Sequence, residues 1–129
     1  MNRERLYCVL VTGGREYYDR TQVYSYLDAV TFMCGGDIML IHGGARGADT
    51  IAEDWARDRE QICVHIPAQW SKYGKKAGIR RNAEMAAFSQ ANIVVVFRGG
   101  RGTLNMLATA RNMDEPVPII LLPDGEFWK

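Results

Sequence analysis

The stretch IMLIHGGARGAD, residues 38–49, has the pattern of a strand end followed by a helix start. Its first four residues are apolar, and the run stops at a histidine and two glycines. Small and apolar residues then recur at the spacing of one helical face, at positions 48, 51, 52, 55 and 56. The glycines are therefore expected on a strand-to-helix turn, where backbone N–H groups and the positive end of a helix dipole can meet an anion.

Two further stretches repeat this arrangement. Gly13-Gly14-Arg15 follows an apolar run over residues 6–12, and GGRGT at residues 99–103 follows another over residues 93–97. Arginines lie in or beside all three turns, at positions 15, 46, 98 and 101, and arginine forks suit phosphate oxygens. We interpret the turns as a phosphate or pyrophosphate cradle, with Thr103 as a hydroxyl donor. The alternative is that the glycines only make tight turns and the arginines are solvated.

Composition points to one soluble domain over residues 1–129. A formal net charge of +1 excludes a global basic field for nucleic acid or an anionic membrane. No apolar run approaches the ~20 residues of a membrane span, and no signal-peptide pattern opens the chain. The odd cysteine count, without a C-x-x-C spacing, predicts buried free thiols in a reducing compartment, so we expect a cytoplasmic protein.

Alternating apolar runs and helical patterns predict an α/β fold. We expect a single-domain Rossmann-like three-layer sandwich, with a parallel sheet of about five strands and helices on both faces. The third helix is expected over residues 79–90, with Ala83, Ala86 and Ala87 facing inward, and the last strand over residues 119–122. A strand order of 3-2-1-4-5 would reverse between the first and fourth strands and bring all three glycine turns to one pocket.

The connector over residues 67–78 is long for a compact domain and is typical of a binding loop. Its Trp70 and Tyr73 can stack on a base, with lysines nearby, or can form a lid packed on the domain itself. Asp49 can bind sugar hydroxyls or cap helix N–H groups. His42, His65 and Cys63 lack metal-ligand spacing, so we expect a structural role and no metal. The motifs of P-loop, serine-hydrolase and ordinary NAD-dehydrogenase sites are absent.

Five blocks of sequence, in order along nearly the whole chain, resemble the YspA-like branch of the SLOG superfamily. They are GGR with Asp19, HGGARGAD at 42–49, AQW at 68–70, AGIRRNAEM at 77–85 and GGRGT at 99–103. The resemblance implies a Rossmann-like sheet, a bacterial or phage source and a site for a nucleotide or a nucleotide derivative. The expected ligand-binding residues are Gly13, Gly14, Arg15, His42, Gly43, Gly44, Ala45, Gly47, Asp49, Trp70, Arg81, Asn82, Gly99, Gly100, Arg101, Gly102 and Thr103.

The same superfamily includes the LOG phosphoribohydrolases, which cut the N-glycosidic bond of nucleoside 5′-monophosphates. Arg81 matches their helix arginine, but Met106 stands where their catalytic glutamate is expected, so Arg81 and Glu84 are only weak catalytic candidates. The resemblance thus favours binding of the nucleotide, for sensing, carriage or sequestration. The alternatives are an N-glycosidase-like hydrolase and single-stranded nucleic-acid binding of the DprA type. Homodimerisation is also implied by the resemblance to LOG proteins.

Overall fold

A computed structural model describes residues 6–113 and 117–121. Five strands alternate with helices: β1 Tyr7–Thr12, α1 Arg20–Met33, β2 Ile38–His42, α2 Ala48–Asp58, β3 Ile62–His65, α3 Trp70–Tyr73, α4 Ala77–Ser89, β4 Ile93–Val96, α5 Arg101–Arg111 and β5 Ile119–Leu121. All strand pairs are parallel, in the order β3-β2-β1-β4-β5. The predicted α/β Rossmann-like fold and strand order are confirmed.

The sheet is apolar on both faces because helices cover both. Side chains of β1 alternate: Val9 and Val11 pack with α1 and α2, whereas Leu10 packs with α4 and α5. Trp55 on α2 and Met106 on α5 are both fully buried, one in each of these two cores. A strand that buries both faces needs a nearly continuous apolar run, which is what the sequence shows for β1 and β4.

The ends of α1 follow the sequence signals. The side chain of Asp19 accepts a hydrogen bond from the backbone N–H of Gln22, as an N-cap does. Gly35 and Gly36 both adopt positive φ just beyond the helix, the backbone conformation that glycine permits at a helix end.

Several predicted details were wrong. Part of the connector over residues 67–78 is helical: it contains α3 and a 3-10 turn over Gly74–Lys76, and α4 begins at Ala77. Of the three alanines expected to face inward, Ala86 is buried, but Ala83 and Ala87 are exposed, because the buried face of α4 also holds Asn82, Met85 and Ser89. Alanine spacing alone does not orient a helix when a polar residue such as Asn82 finds buried partners.

Three further expectations have mixed outcomes. The three cysteines are free thiols, as predicted, but each is only partly buried. Within the described residues, no helix is both long and apolar enough to cross a membrane. The last strand ends at Leu121, and the predicted Leu122 and the tail after it lie outside the described residues.

Candidate functional site

A cavity of about 930 Å³ lies at the carboxyl ends of the strands, where the strand order reverses between β1 and β4. This is the position at which open parallel sheets bind ligands, and the volume is within the usual range for small-molecule pockets. The lining carries five basic and two acidic side chains: Arg15, Lys75, Arg81, Arg98, Arg101, Glu16 and Asp49. The cavity therefore concentrates positive charge in a protein whose net charge is only +1.

The turn at residues 99–103 presents an open helix N-terminus to this cavity. Gly100 is the N-cap of α5, and no side chain of the described residues caps the helix. Leaving aside chain neighbours and the helix's own backbone, a Cβ placed on Gly100 or on Gly102 would meet no described heavy atom within 4 Å, so the space beside these two residues is open. The first N–H groups of a helix have no partner inside the helix, so this turn can donate them to an anion.

The turn at residues 13–15 is packed closely against its neighbours. Gly14 donates its N–H to the carbonyl of Arg98 at 2.9 Å, and its own carbonyl accepts from Ala48 at 3.1 Å. A Cβ on Gly14 would lie 2.8 Å from the Arg98 oxygen, and one on Gly13 would lie 2.5 Å from Cβ of Ala48. Both glycines line the cavity. Glycine is needed at these positions because neighbouring segments approach too closely to leave room for a Cβ atom.

Three backbone N–H groups of the turn at residues 43–47 donate hydrogen bonds to side chains of the same chain. Gly43 and Ala45 donate to Oδ2 of Asp49 at 3.2 and 3.1 Å, and Gly44 donates to Nδ1 of His42 at 2.9 Å. Of the residues predicted here, Ala45 and Asp49 line the cavity, whereas His42, Gly43, Gly44 and Gly47 do not.

Asp49 has one occupied and one unoccupied carboxylate oxygen. The residue is only 4% exposed, and Oδ1 is buried without a hydrogen-bond partner among the described residues. Burial raises the pKa of this carboxyl to about 6, against the opposing effects of the Ala45 N–H and the Arg81 charge. The Asp49 side chain accepts hydrogen bonds from the loop before α2 and does not cap the helix. Of the two roles expected for Asp49, the helix cap was therefore wrong.

Arg81 is held rigidly at the cavity wall. Its Nη1 donates to the carbonyl of Gly43, and its Nε donates to Oδ1 of Asn82 at 3.0 Å. Asn82 in turn donates to the carbonyl of Gly102 at 3.2 Å and to Oδ1 of Asn105 at 2.8 Å. Burial lowers the pKa of the Arg81 guanidinium, which Asp49 partly offsets. The two Arg81 bonds use two of its three guanidinium nitrogens, so Arg81 keeps donors for a ligand. The two Asn82 bonds join α4 to α5.

Aromatic and basic side chains form the rim. Trp70 is half-exposed, lines the cavity and lies 5.9 Å from the Arg15 guanidinium. Tyr73 is not part of the lining; its ring contacts Lys72 and Arg80 at 5.1 and 4.2 Å. The two aromatics predicted to act together are therefore separated, and of the two it is Trp70 that offers a ring to the cavity.

The sequence analysis considered His42 and Cys63 together but missed Glu53 beside them. His42 Nε2 lies 2.8 Å from Oε1 of Glu53, and Cys63 completes a group of possible metal ligands within 4.8 Å. However, Nδ1 of His42 accepts the Gly44 N–H, so Nε2 carries the proton and has no lone pair for a metal. Burial also raises the pKa of the Cys63 thiol to about 11. The cluster is better suited to orienting His42, on which His65 stacks at 5.2 Å.

Of the two catalytic candidates, Arg81 lines the cavity and Glu84 does not. Met106, at the position of the LOG glutamate, is fully buried in the apolar core. Glu84 is half-exposed, lies 4.0 Å from Arg80 and does not line the cavity.

Comparisons with known proteins support the sequence resemblance. The family model described as "YspA, cpYpsA-related SLOG family" matches residues 7–73. The Gene 61 protein of Mycobacterium phage D29 is 37% identical over 116 residues, which covers 84% of this chain and 92% of the phage protein. No solved structure matches the chain significantly.

Proposed function

Since this chain belongs to the YspA, cpYpsA-related SLOG family, we propose that it binds a nucleotide or a nucleotide-derived phosphorylated ligand in the cavity at the carboxyl ends of its strands. The observation that carries the proposal is the uncapped N-terminus of α5 facing a cavity with an excess of basic side chains. Backbone donors, a helix dipole and arginine forks are the groups that proteins use for phosphate.

The rest of the cavity supports the same ligand class. Arg81 is braced by Gly43 and Asn82, so its remaining donors are fixed before a ligand arrives. Preorganised donors lose little entropy on binding, which favours affinity. The exposed ring of Trp70 at the rim has the shape and chemistry to stack on a base.

Binding without cleavage is proposed, because the position of the LOG glutamate is a buried methionine. Sensing, carriage or sequestration would each need only the bound state. A homodimer is proposed with it, on family resemblance, and native mass spectrometry reads mass and bound ligand together.

The first experiment is native mass spectrometry of the purified protein, followed by a thermal-shift panel of nucleotides, cyclic dinucleotides and ADP-ribose-like compounds. A ligand present at 100 times its dissociation constant adds about 2.7 kcal/mol of stability, which such a panel detects. Release of free base from a nucleoside monophosphate would contradict the binding-only proposal. Preference for oligonucleotides, with affinity that falls steeply with salt, would favour the nucleic-acid alternative.

A matched pair of arginine variants locates the site. Arg101 begins α5 at the cavity and Arg111 ends the same helix, so Arg101→Ala and Arg111→Ala remove the same charge at opposite ends. We expect Arg101→Ala to weaken nucleotide binding about tenfold, the effect of losing a charged hydrogen bond, and Arg111→Ala to leave it unchanged. Equal affinities in isothermal titration would refute the assignment.

A second pair tests the helix N-terminus itself. Gly100→Asp places a carboxylate in front of the first turn, and Gly100→Asn places a neutral side chain of the same shape there. Both are good N-cap residues and both fit the open space, so the fold is expected to survive. As N-caps, both side chains can accept the open N–H groups, so Gly100→Asn is expected to weaken anion binding, whereas the added negative charge of Gly100→Asp should abolish it. Retained binding in Gly100→Asp would argue against a phosphate at this turn.

A further inference from the structure

We propose that Asp49 selects the ligand through its Oδ1 atom, which accepts a hydrogen bond from an uncharged donor of the ligand. This donor is a hydroxyl or amino group that the ligand carries in addition to its anionic group. This inference rests on the proposed nucleotide binding and specifies the chemistry of the bound molecule. It assigns to one oxygen atom a recognition role that phosphate binding alone does not require.

The two carboxylate oxygens of Asp49 are not equivalent. Oδ2 accepts two backbone N–H groups, from Gly43 and Ala45, and these bonds fix the carboxyl plane. Within the part of the chain that the structure describes, Oδ1 has no partner, although it is buried in a residue that lines the cavity. A buried acceptor without a donor is costly, so the free protein holds an unsatisfied group at the wall of its binding cavity.

The nearby cation of Arg81 does not satisfy this oxygen. Arg81 is close enough to affect the Asp49 charge, but its hydrogen bonds go to Gly43 and Asn82. Neither its Nη1 nor its Nε is directed at Asp49. The donor that Oδ1 lacks can therefore come from a ligand in the cavity that Asp49 lines.

The charge of Asp49 decides what that group can be. An ionised carboxylate only accepts hydrogen bonds, so a phosphate oxygen is repelled and a hydroxyl or amino group is attracted. The phosphate is expected instead at the open N-terminus of α5 and at the basic side chains. A nucleotide carries both kinds of group, since its sugar hydroxyls and exocyclic amines lie away from its phosphate.

The test uses ligand analogues and one near-isosteric variant. The probes are adenosine and guanosine 5′-monophosphates, their 2′-deoxy and 3′-deoxy counterparts, and inosine 5′-monophosphate. In Asp49→Asn, the amide oxygen keeps the bonds to Gly43 and Ala45, and an NH₂ group replaces the free oxygen. The control is Asp58→Asn, which makes the same change at the exposed end of α2.

Wild-type protein is expected to bind one analogue that lacks a donor about tenfold more weakly than its parent. Asp49→Asn should bind the parent about tenfold more weakly and should lose the discrimination against that analogue, while Asp58→Asn behaves as wild type. Wild-type protein that binds every analogue as tightly as its parent would overturn the inference, whatever the fold of the variant. So would an Asp49→Asn protein with unchanged affinity and selectivity. Failure of wild-type protein to bind any of these probes or any compound of the thermal-shift panel would instead refute the proposed function.

Discussion

Replacing Asp49 with asparagine should change how the stability of the protein depends on pH. Burial raises the pKa of the Asp49 carboxyl from 3.8 to about 6, because its hydrogen bonds and the Arg81 charge compensate only in part for the lost water. Between these two values the folded protein binds more protons than the unfolded chain. The folded state is therefore favoured at low pH and loses stability as the pH rises through about 6.

The size of the effect follows from the shift. Each pKa unit corresponds to about 1.4 kcal/mol, so ionising Asp49 lowers the free energy of unfolding by about 3 kcal/mol over the whole titration. About 2 kcal/mol of this change falls between pH 4.5 and pH 7.5, where ordinary measurements are possible. The asparagine side chain of the variant does not titrate, and all other groups are common to the two proteins.

The assay is urea denaturation of wild-type protein and Asp49→Asn at pH 4.5 and pH 7.5. We expect wild-type stability to fall by about 2 kcal/mol relative to the variant as the pH rises. A difference between the two proteins that does not vary with pH would refute the reasoning, because it would mean that Asp49 keeps its ordinary pKa. A difference of opposite sign would indicate that Asp49 is stabilised as an anion, by Arg81 above all.

Two further predictions concern the fold around the site. Gly47→Ala should lower the free energy of unfolding by well over the ~1–2 kcal/mol that a non-glycine residue loses at positive φ, because its Cβ would overlap the carbonyl oxygen of Gly14. Gly35 also has a positive φ, but a Cβ there meets open space. Gly35→Ala should therefore show only the ~1–2 kcal/mol backbone cost in urea denaturation. Asp28→Ala should lower the free energy of unfolding by about 1–3 kcal/mol, because the buried Trp55 indole N–H would lose its 2.8 Å acceptor. Unchanged denaturation midpoints would contradict both predictions.

The three glycine turns look alike in sequence but differ in the folded chain. The turn at residues 43–47 donates to Asp49 and His42, and the turn at 13–15 is packed against the backbone of the other two turns. Of the three, the turn at 99–103 is the one that combines an uncapped helix start with open space. Glycine spacing identifies where a backbone turns tightly, but it does not tell which N–H groups remain for a ligand.

The residues around Asp49 illustrate the same limit. Its position on the first turn of a helix suggested a cap, whereas the folded loop curls back and donates to it from the preceding residues. Asn82 was expected only as a ligand-binding residue; it does line the cavity, but it is also buried and joins α4 to α5. Both outcomes depend on partners distant in sequence or on loop geometry, and neither has a local signal.

Sequence alone missed α3 and took the strand order from the general Rossmann pattern. It was enough for the succession of the strands and the four longer helices, for the parallel sheet and for the family. These follow from local periodicity, from glycines at strand ends and from short blocks of sequence, because such signals act over a few residues. Long-range contacts in the folded chain establish which turn is open, which oxygen of Asp49 lacks a donor and which nitrogen of His42 carries the proton. Those properties depend on where each hydrogen bond finally goes, and that is settled only when residues far apart in the chain come into contact.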